Sequence, residues 1–394
     1  MDGGRRRELA YLHDLVLLLI LAKTFGIPLK KIGIHPVVGH VVAGIILGPY
    51  ILGIVAPSKE LETIAGVALL LLLFYTGLTT DFRELRRQGL HIIVMGCAGV
   101  AVTFGLVYGL LYLIGMRGLQ LFFIAIALSN TATETVAAII ARVGGRELRA
   151  LVVGASFVDD IIAVFIISIT ASIKLGVETN LVYLSIATTI YMIGALALSQ
   201  LLVKKASFFY KQLSRDYLIF ASTSLILAFA LALLAEEIGL STLIGAYLAG
   251  LIIGRGREFH DPLIRTRVIL TEFIDDLSIV LEVLFVPMFF TFVGLLLNPQ
   301  AVSIQIYIVG LLAAVLGKIL SCTPIAYHSL KDLRRGLAAG VAMVGRGALE
   351  TALLKLGLDA GILDISTYST VIVIAISTTI IAPLLYSIVY PSRR

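Results

Sequence analysis

Apolar residues along this chain gather into runs that repeatedly approach or exceed the roughly 20 positions an α-helix needs to cross a bilayer. Short clusters of Lys and Arg, or of Gly and Pro, stand between the runs. The pattern predicts thirteen helical spans. The first seven are Leu9–Ala22, Pro36–Val55, Leu61–Leu78, His91–Met116, Leu119–Val143, Leu148–Ile173 and Leu181–Val203. The other six are Tyr217–Leu234, Leu240–Gly254, Leu277–Leu297, Ile304–Ala326, Leu337–Leu358 and Tyr368–Val389.

The basic residues follow the same count. Loops after odd-numbered spans, with the C-terminal tail, hold 22 Lys and Arg, among them Arg83, Arg86, Arg87, Lys204, Lys205, Arg334 and Arg335. Loops after even-numbered spans hold 4: Lys59, Arg117, Lys174 and Lys355. Basic loops stay in the cytoplasm, so the C-terminus is expected inside and, with an odd number of spans, the N-terminus outside. Arg5, Arg6 and Arg7 run against that orientation. The opening MDGGRRRELAYLHDLVLLLILA has the basic start and apolar run of a signal peptide but no small-x-small cleavage site, so it reads as a retained first helix.

Composition narrows the class. Of the 394 residues 59% are hydrophobic and 14% charged, with a mean hydropathy of +1.02, whereas soluble domains carry about 25% charged residues. The expected fold is an all-α polytopic protein of a plasma or inner membrane. The net charge of +6 lies mostly in the loops of one side, where it orients the chain, and no nucleic acid partner is expected. Cys97 and Cys322 fall inside apolar segments without disulfide or metal spacing, as buried cysteines commonly do. His13 and His40 each stand alone on an apolar helix and read as packed residues rather than pH sensors.

Two spans are interrupted. The fifth contains ALSNTATET, with Ser129, Asn130, Thr131, Thr133, Glu134 and Thr135 flanking Ala132; the twelfth contains Gly345-Arg346-Gly347 at its centre. Either could be close helix packing by small residues. As a pair seven spans apart, and so of opposite orientation, they match the unwound helices of inverted repeats that frame a secondary transporter's binding site.

Charges inside the spans carry the chemistry. Asp159 and Asp160 stand at the middle of the sixth span, where each costs about 2.5–3.5 kcal/mol even on the lenient insertion scale. Adjacent helical positions point about 100° apart, so one can face a pathway while the other faces a neighbouring helix. Ser156, one turn before Asp160, can add an oxygen. Lys318 lies in the middle of the eleventh span and needs a counter-charge, for which a central Asp is the natural candidate. Arg346 has two candidate partners, Glu350 at i,i+4 and Glu134. A carboxylate that binds either a proton or a small hard cation, but not both, is a minimal exchanger.

At these residues the chain resembles the second family of monovalent cation:proton antiporters, which includes NapA-like Na⁺/H⁺ antiporters and the Kef-type potassium efflux systems. The likeness rests on FVDD in span six, ALSNTATET in span five, Lys318 in span eleven and VGRGALE in span twelve. It implies a homodimer with an inverted-repeat fold, two crossing broken helices and elevator-type alternating access. A core sub-domain (roughly 91–173 and 304–390) would move against a dimerisation sub-domain (roughly 9–78 and 217–297), joined by a linker helix, 181–203. It also implies that Asp160 exchanges the cation for a proton and that Asp159 pairs with Lys318. Asn130, Thr131, Thr133 and Ser156 would support the cation, and the aspartate pair implies electrogenic exchange of one cation, Na⁺ foremost, for two protons. Glu134 is outside the family pattern and leaves the choice among Na⁺, K⁺ and Li⁺ open.

No G-x-G-x-x-G follows a strand, so neither a cofactor nor a soluble regulatory domain of the Kef kind is expected. The alternatives are a Kef-type K⁺/H⁺ antiporter and a sodium-coupled solute symporter of the same fold. An intramembrane aspartyl protease would need its aspartates on separate helices. A cation channel would need a TVGYG-like filter. An enzyme is therefore not expected.

Overall fold

A computed structural model describes residues 2–31, 35–79, 89–140, 146–174, 190, 194, 216–237, 242–255 and 265–390. Span seven, Leu181–Val203, lies almost wholly outside the described residues. Among those described, the chain is helical with no strand. The helices are α1 Asp2–Lys31, α2 Val37–Leu47, α3 Lys59–Thr79, α4 Leu90–Leu113, α5 Gly118–Ala127, α6 Thr133–Ile140 and α7 Arg146–Lys174. They continue as α8 Tyr217–Glu237, α9 Thr242–Gly254, α10 Arg265–Val280, α11 Val286–Leu295, α12 Ile304–Leu330, α13 Leu333–Ala342, α14 Ala348–Asp359 and α15 Ile365–Val389. Among the described residues seven segments are long and apolar enough to cross a membrane, and α2, α5 and α9 are shorter apolar helices. The chain is a multi-pass membrane protein.

Several boundaries move from where hydropathy puts them. Helix α1 continues nine residues beyond Ala22, through Gly26 and Pro28. Its last turns pack on α2: a methyl group on Gly39 would lie 2.6 Å from the Gly26 nitrogen, and one on Gly26 would lie 2.9 Å from His40 Nε2. Backbone contact of this kind holds a helix that local signals would end. Helix α2 is shorter than its span, closing at Leu47, whose carbonyl accepts from Val55 N–H at 2.9 Å. The tenth span begins earlier, at Arg265, and runs through a widened turn, Leu281–Phe285, into α11. Pro287 has no N–H for an ordinary helical bond, and a wide turn just before it absorbs the mismatch. Cys97 is exposed, while Cys322 is buried as expected.

The described chain forms two compact units. One comprises Met1–Thr63, Glu84–Ala163 and Phe290–Arg394; the other comprises Ile64–Arg83 and Val164–Phe289.

In the first unit α12 runs antiparallel along α4. Gly317 faces Thr103 at one level, and Gly99 faces Cys322 and Lys318 at the next. His91 and His328 stack beyond them at 6.0 Å. The turn from α12 to α13 uses Lys331 in the left-handed region (φ 55°), and the Asp332 carboxylate caps α13 by accepting from the Arg334 and Arg335 N–H groups. The core gathers Ile92, Met95, Val136, Ile140, Leu151, Ala155, Ala339 and Ala382 from α4, α6, α7, α13 and α15. Lipid offers no hydrophobic drive between helices, so contact depends on small residues that let backbones approach.

The second unit uses the same device. A methyl on Gly77 of α3 would lie 2.2 Å from the Tyr247 carbonyl oxygen, and one on Gly250 of α9 would lie 2.1 Å from that of Phe74. Beside this contact the rings of Phe74 and Phe220 meet Phe273 edge-on at 6.3 and 5.8 Å.

Candidate functional site

Both interrupted spans are broken helices, and their breaks cross. Residues 128–132 separate α5 from α6, and residues 343–347 separate α13 from α14. Irregular backbone at such a depth must find partners within the protein. Here the two breaks satisfy each other. Ala132 N–H donates to the Gly345 carbonyl at 3.1 Å, Thr131 Oγ1 to the Met343 carbonyl at 2.8 Å and Thr135 Oγ1 to the Arg346 carbonyl at 3.1 Å. From α15, Thr379 donates to the same Arg346 carbonyl at 2.9 Å. Glycine is required at 345, because a methyl there would lie 2.4 Å from Thr135 Cγ2.

Four helix ends meet at this crossing, and each end carries a partial charge. The Arg346 guanidinium, 1% exposed, donates to the Leu128 carbonyl at 2.5 Å and to that of Asn130, at the carbonyl end of α5. Glu350 lies at the amide end of α14, accepting from Gly347 N–H at 2.8 Å and from Asn130 Nδ2 at 3.3 Å. The cation thus sits at a negative helix end and the carboxylate at a positive one. Both residues have partners across the crossing that their i,i+4 spacing did not show. The Glu134 side chain lies outside the described residues.

Helix α7 brings its two aspartates to the crossing. Asp159 is 0% exposed and accepts from Lys318 Nζ through Oδ2 at 2.5 Å; the lysine is also 0% exposed. Thr131 lies close to the same carboxylate. Asp160, about 100° around the helix, turns instead to the start of α6. There Thr133 Oγ1 donates to Oδ2 at 2.6 Å and lies 3.0 Å from Ser156 Oγ. Asp159 Oδ1 and Asn130 Oδ1 are buried and have no hydrogen-bond partner among the described residues. Buried oxygen atoms without donors suit a hard monovalent cation. Among the described residues no cluster of three or more His, Cys, Asp or Glu could hold a resident metal.

The fold therefore gathers Asp159, Asp160, Lys318, Asn130, Thr131, Thr133, Ser156, Arg346 and Glu350 around one crossing. Hydropathy did not point to two further contributors, Gly99 and Thr379. Gly99 leaves room for the lysine, with a methyl there falling 3.3 Å from Lys318 Nζ. Thr135 and Thr379 hold the second break. For Thr379 a polar residue in an apolar run was the available signal, but Ser and Thr are common in such helices.

Known proteins resemble this chain along nearly its whole length. Residues 16–389 match the sodium/hydrogen exchanger transmembrane family. The Na⁺/H⁺-K⁺ antiporter GerN of Bacillus cereus is 25% identical over 382 residues, covering 95% of each chain. An Na⁺/H⁺ antiporter of Enterococcus hirae is 26% identical over 379 residues, covering 93% of this chain and 95% of its own. In fold, the chain is similar to the sodium proton antiporter MjNhaP1 of Methanocaldococcus jannaschii at pH 8, with a TM-score of 0.69, 18% identity and 96% of both chains covered. With nearly its whole length matched, the chain belongs to the sodium/hydrogen exchanger family of membrane transporters.

Proposed function

We propose that this protein exchanges a monovalent cation, Na⁺ foremost, for two protons per cycle and so moves net charge. The observation that carries this reading is the division of labour between neighbouring aspartates. Asp160 faces the hydroxyl-lined start of α6, and Asp159 is held by a fully buried lysine at 2.5 Å. When a cation reaches Asp160, the proton held there leaves. As Asp159 turns its oxygens to the same cation, the Lys318–Asp159 pair opens and the lysine releases a second proton. One positive charge enters and two leave. Reversal on the other side of the membrane resets the site.

In the same reading the chain has thirteen spans, a cytoplasmic C-terminus, an external N-terminus and a homodimeric assembly. The sub-domain built on 91–173 and 304–390 moves as an elevator against that built on 9–78 and 217–297. The Bacillus cereus relative is named an Na⁺/H⁺-K⁺ antiporter, which supports K⁺ as the second cation to test.

Purified protein in liposomes with an imposed pH gradient, given Na⁺, K⁺ or Li⁺ in turn, tests the exchange. Asp160→Asn is expected to abolish cation-driven proton flux while leaving a folded protein; near-normal flux would remove the site assignment. A membrane potential imposed with valinomycin and K⁺ should alter Na⁺-driven flux in the wild type. If flux ignores the potential, the two-proton scheme is wrong.

A further inference from the structure

The α4–α12 seam that holds Lys318 contains a polar group the exchange scheme has not used. Thr103 is 0% exposed, and its hydroxyl has no hydrogen-bond partner among the described residues. Helical threonines in this chain commonly return the hydroxyl proton to the carbonyl four residues back, as Thr24, Thr63, Thr76 and Thr370 do at 2.7–2.9 Å. Thr103 does not. A buried hydroxyl left in this state destabilises the fold that contains it by about 1–3 kcal/mol.

Its position explains what the cost could serve. A methyl on Gly317, the residue before Lys318, would lie 2.8 Å from Thr103 Oγ1. A methyl on Gly99, one turn from Thr103 on the same face of α4, would lie 3.3 Å from Lys318 Nζ. Glycine at 99 keeps a Cβ away from the lysine, and glycine at 317 keeps one away from Thr103. The lysine amino group and the threonine hydroxyl therefore share one seam, about one helical turn apart.

We propose that Thr103 is a positioning residue that receives the Lys318 amino group when a cation draws Asp159 away. In the cation-free arrangement the amine is on Asp159 and the Thr103 hydroxyl is unused. In the cation-bound arrangement the amine turns back along the seam and the hydroxyl accepts from it. Thr103 then favours cation binding by giving the displaced lysine a partner. This inference rests on the exchange reading above and adds a residue to it.

The scheme predicts effects of opposite sign on stability and on cation binding, which a purely structural threonine would not produce. Thr103→Val keeps the β-branched shape and removes the hydroxyl. The purified full-length variant should melt at or above the wild-type temperature without cation, because an unused buried hydroxyl is gone. The Na⁺ concentration giving half the maximal rise in melting temperature, and half-maximal exchange in liposomes, should increase about three- to tenfold. Thr103→Ser should restore the wild-type value. Thr323→Val removes another buried hydroxyl of α12 that has no partner among the described residues and should leave the cation dependence unchanged.

An unaltered cation dependence in Thr103→Val overturns the inference, whether or not the melt moves. So does a shift that Thr323→Val reproduces or that Thr103→Ser fails to reverse. If wild-type protein shows neither a cation-dependent melt nor flux, the exchange reading itself fails and takes this one with it. A normal wild-type response with an unaffected Thr103→Val removes only the role of Thr103.

Discussion

Removing one member of the Lys318–Asp159 pair should harm the protein more than removing both. The two charges are 2.5 Å apart and neither side chain is exposed. At an effective dielectric constant of about 20 the gross attraction is about 6–7 kcal/mol, offset by the loss of hydration of both ions. What remains when one partner is deleted is a bare buried charge, at a cost of about 3–5 kcal/mol. Spread over the unfolding entropy of a 394-residue chain, that cost lowers the melting temperature by about 4–6 °C.

Asp159→Asn and Lys318→Gln should each show this loss in cation-free detergent melts. The double variant, which leaves no bare charge, should melt near the wild type. A double-mutant cycle then isolates the coupling between the two residues. Single variants that melt like the wild type would show that the pair is not formed in the cation-free protein. A double variant as unstable as the two singles combined would show that the charges are independent. Either result would end the argument that Asp159 and Lys318 act as a unit.

Other outcomes follow from the crossing and its supports. Gly345→Ala places a methyl 2.4 Å from Thr135 Cγ2 and should depress both flux and melting temperature. Adding Thr135→Ser removes that clash while keeping the hydroxyl donor to Arg346, so it should recover much of both. Asp364, at the start of α15 and outside the span, accepts from Thr367 N–H at 2.8 Å, and Asp364→Ala should cost about 1 kcal/mol of helix stability. Hydrogen bonding, first from the Thr367 side chain, holds this carboxyl below its ordinary value of 3.8. A depressed folded-state pKa contributes stability above the unfolded value and loses it as pH falls through the folded one. The melting difference between wild type and Asp364→Ala should therefore stay constant at neutral pH and shrink only below about pH 4. Lys318→Gln, if the lysine is the second proton carrier, should keep Na⁺-driven proton flux but lose its response to an imposed potential; a retained response would assign that proton elsewhere.

The sequence by itself determined most of the helices, because lipid forces every residue of a spanning helix to be apolar or to justify its polarity. For the same reason Asp159, Asp160 and Lys318 were legible as functional, and the polar and glycine-rich interruptions were legible as breaks. Helix ends were less so. α1 passes through Gly26 and Pro28 because α2 packs against it, and α10 begins at Arg265, well before hydropathy rises. Which aspartate meets the lysine was beyond the residues alone. Two neighbours on one helix differ only in direction, and direction acquires meaning when α6 stands on one side of α7 and α12 on the other. Arg346 shows the same limit, since spacing suggested a local carboxylate while its guanidinium found the carbonyl end of α5, a partner made only when the two broken helices cross. Gly99 and Thr103 carry no local signal, for an apolar helix tolerates glycine and threonine anywhere along its length. Their importance arises from what the opposing helix places within a few ångströms, and only the tertiary structure decides that.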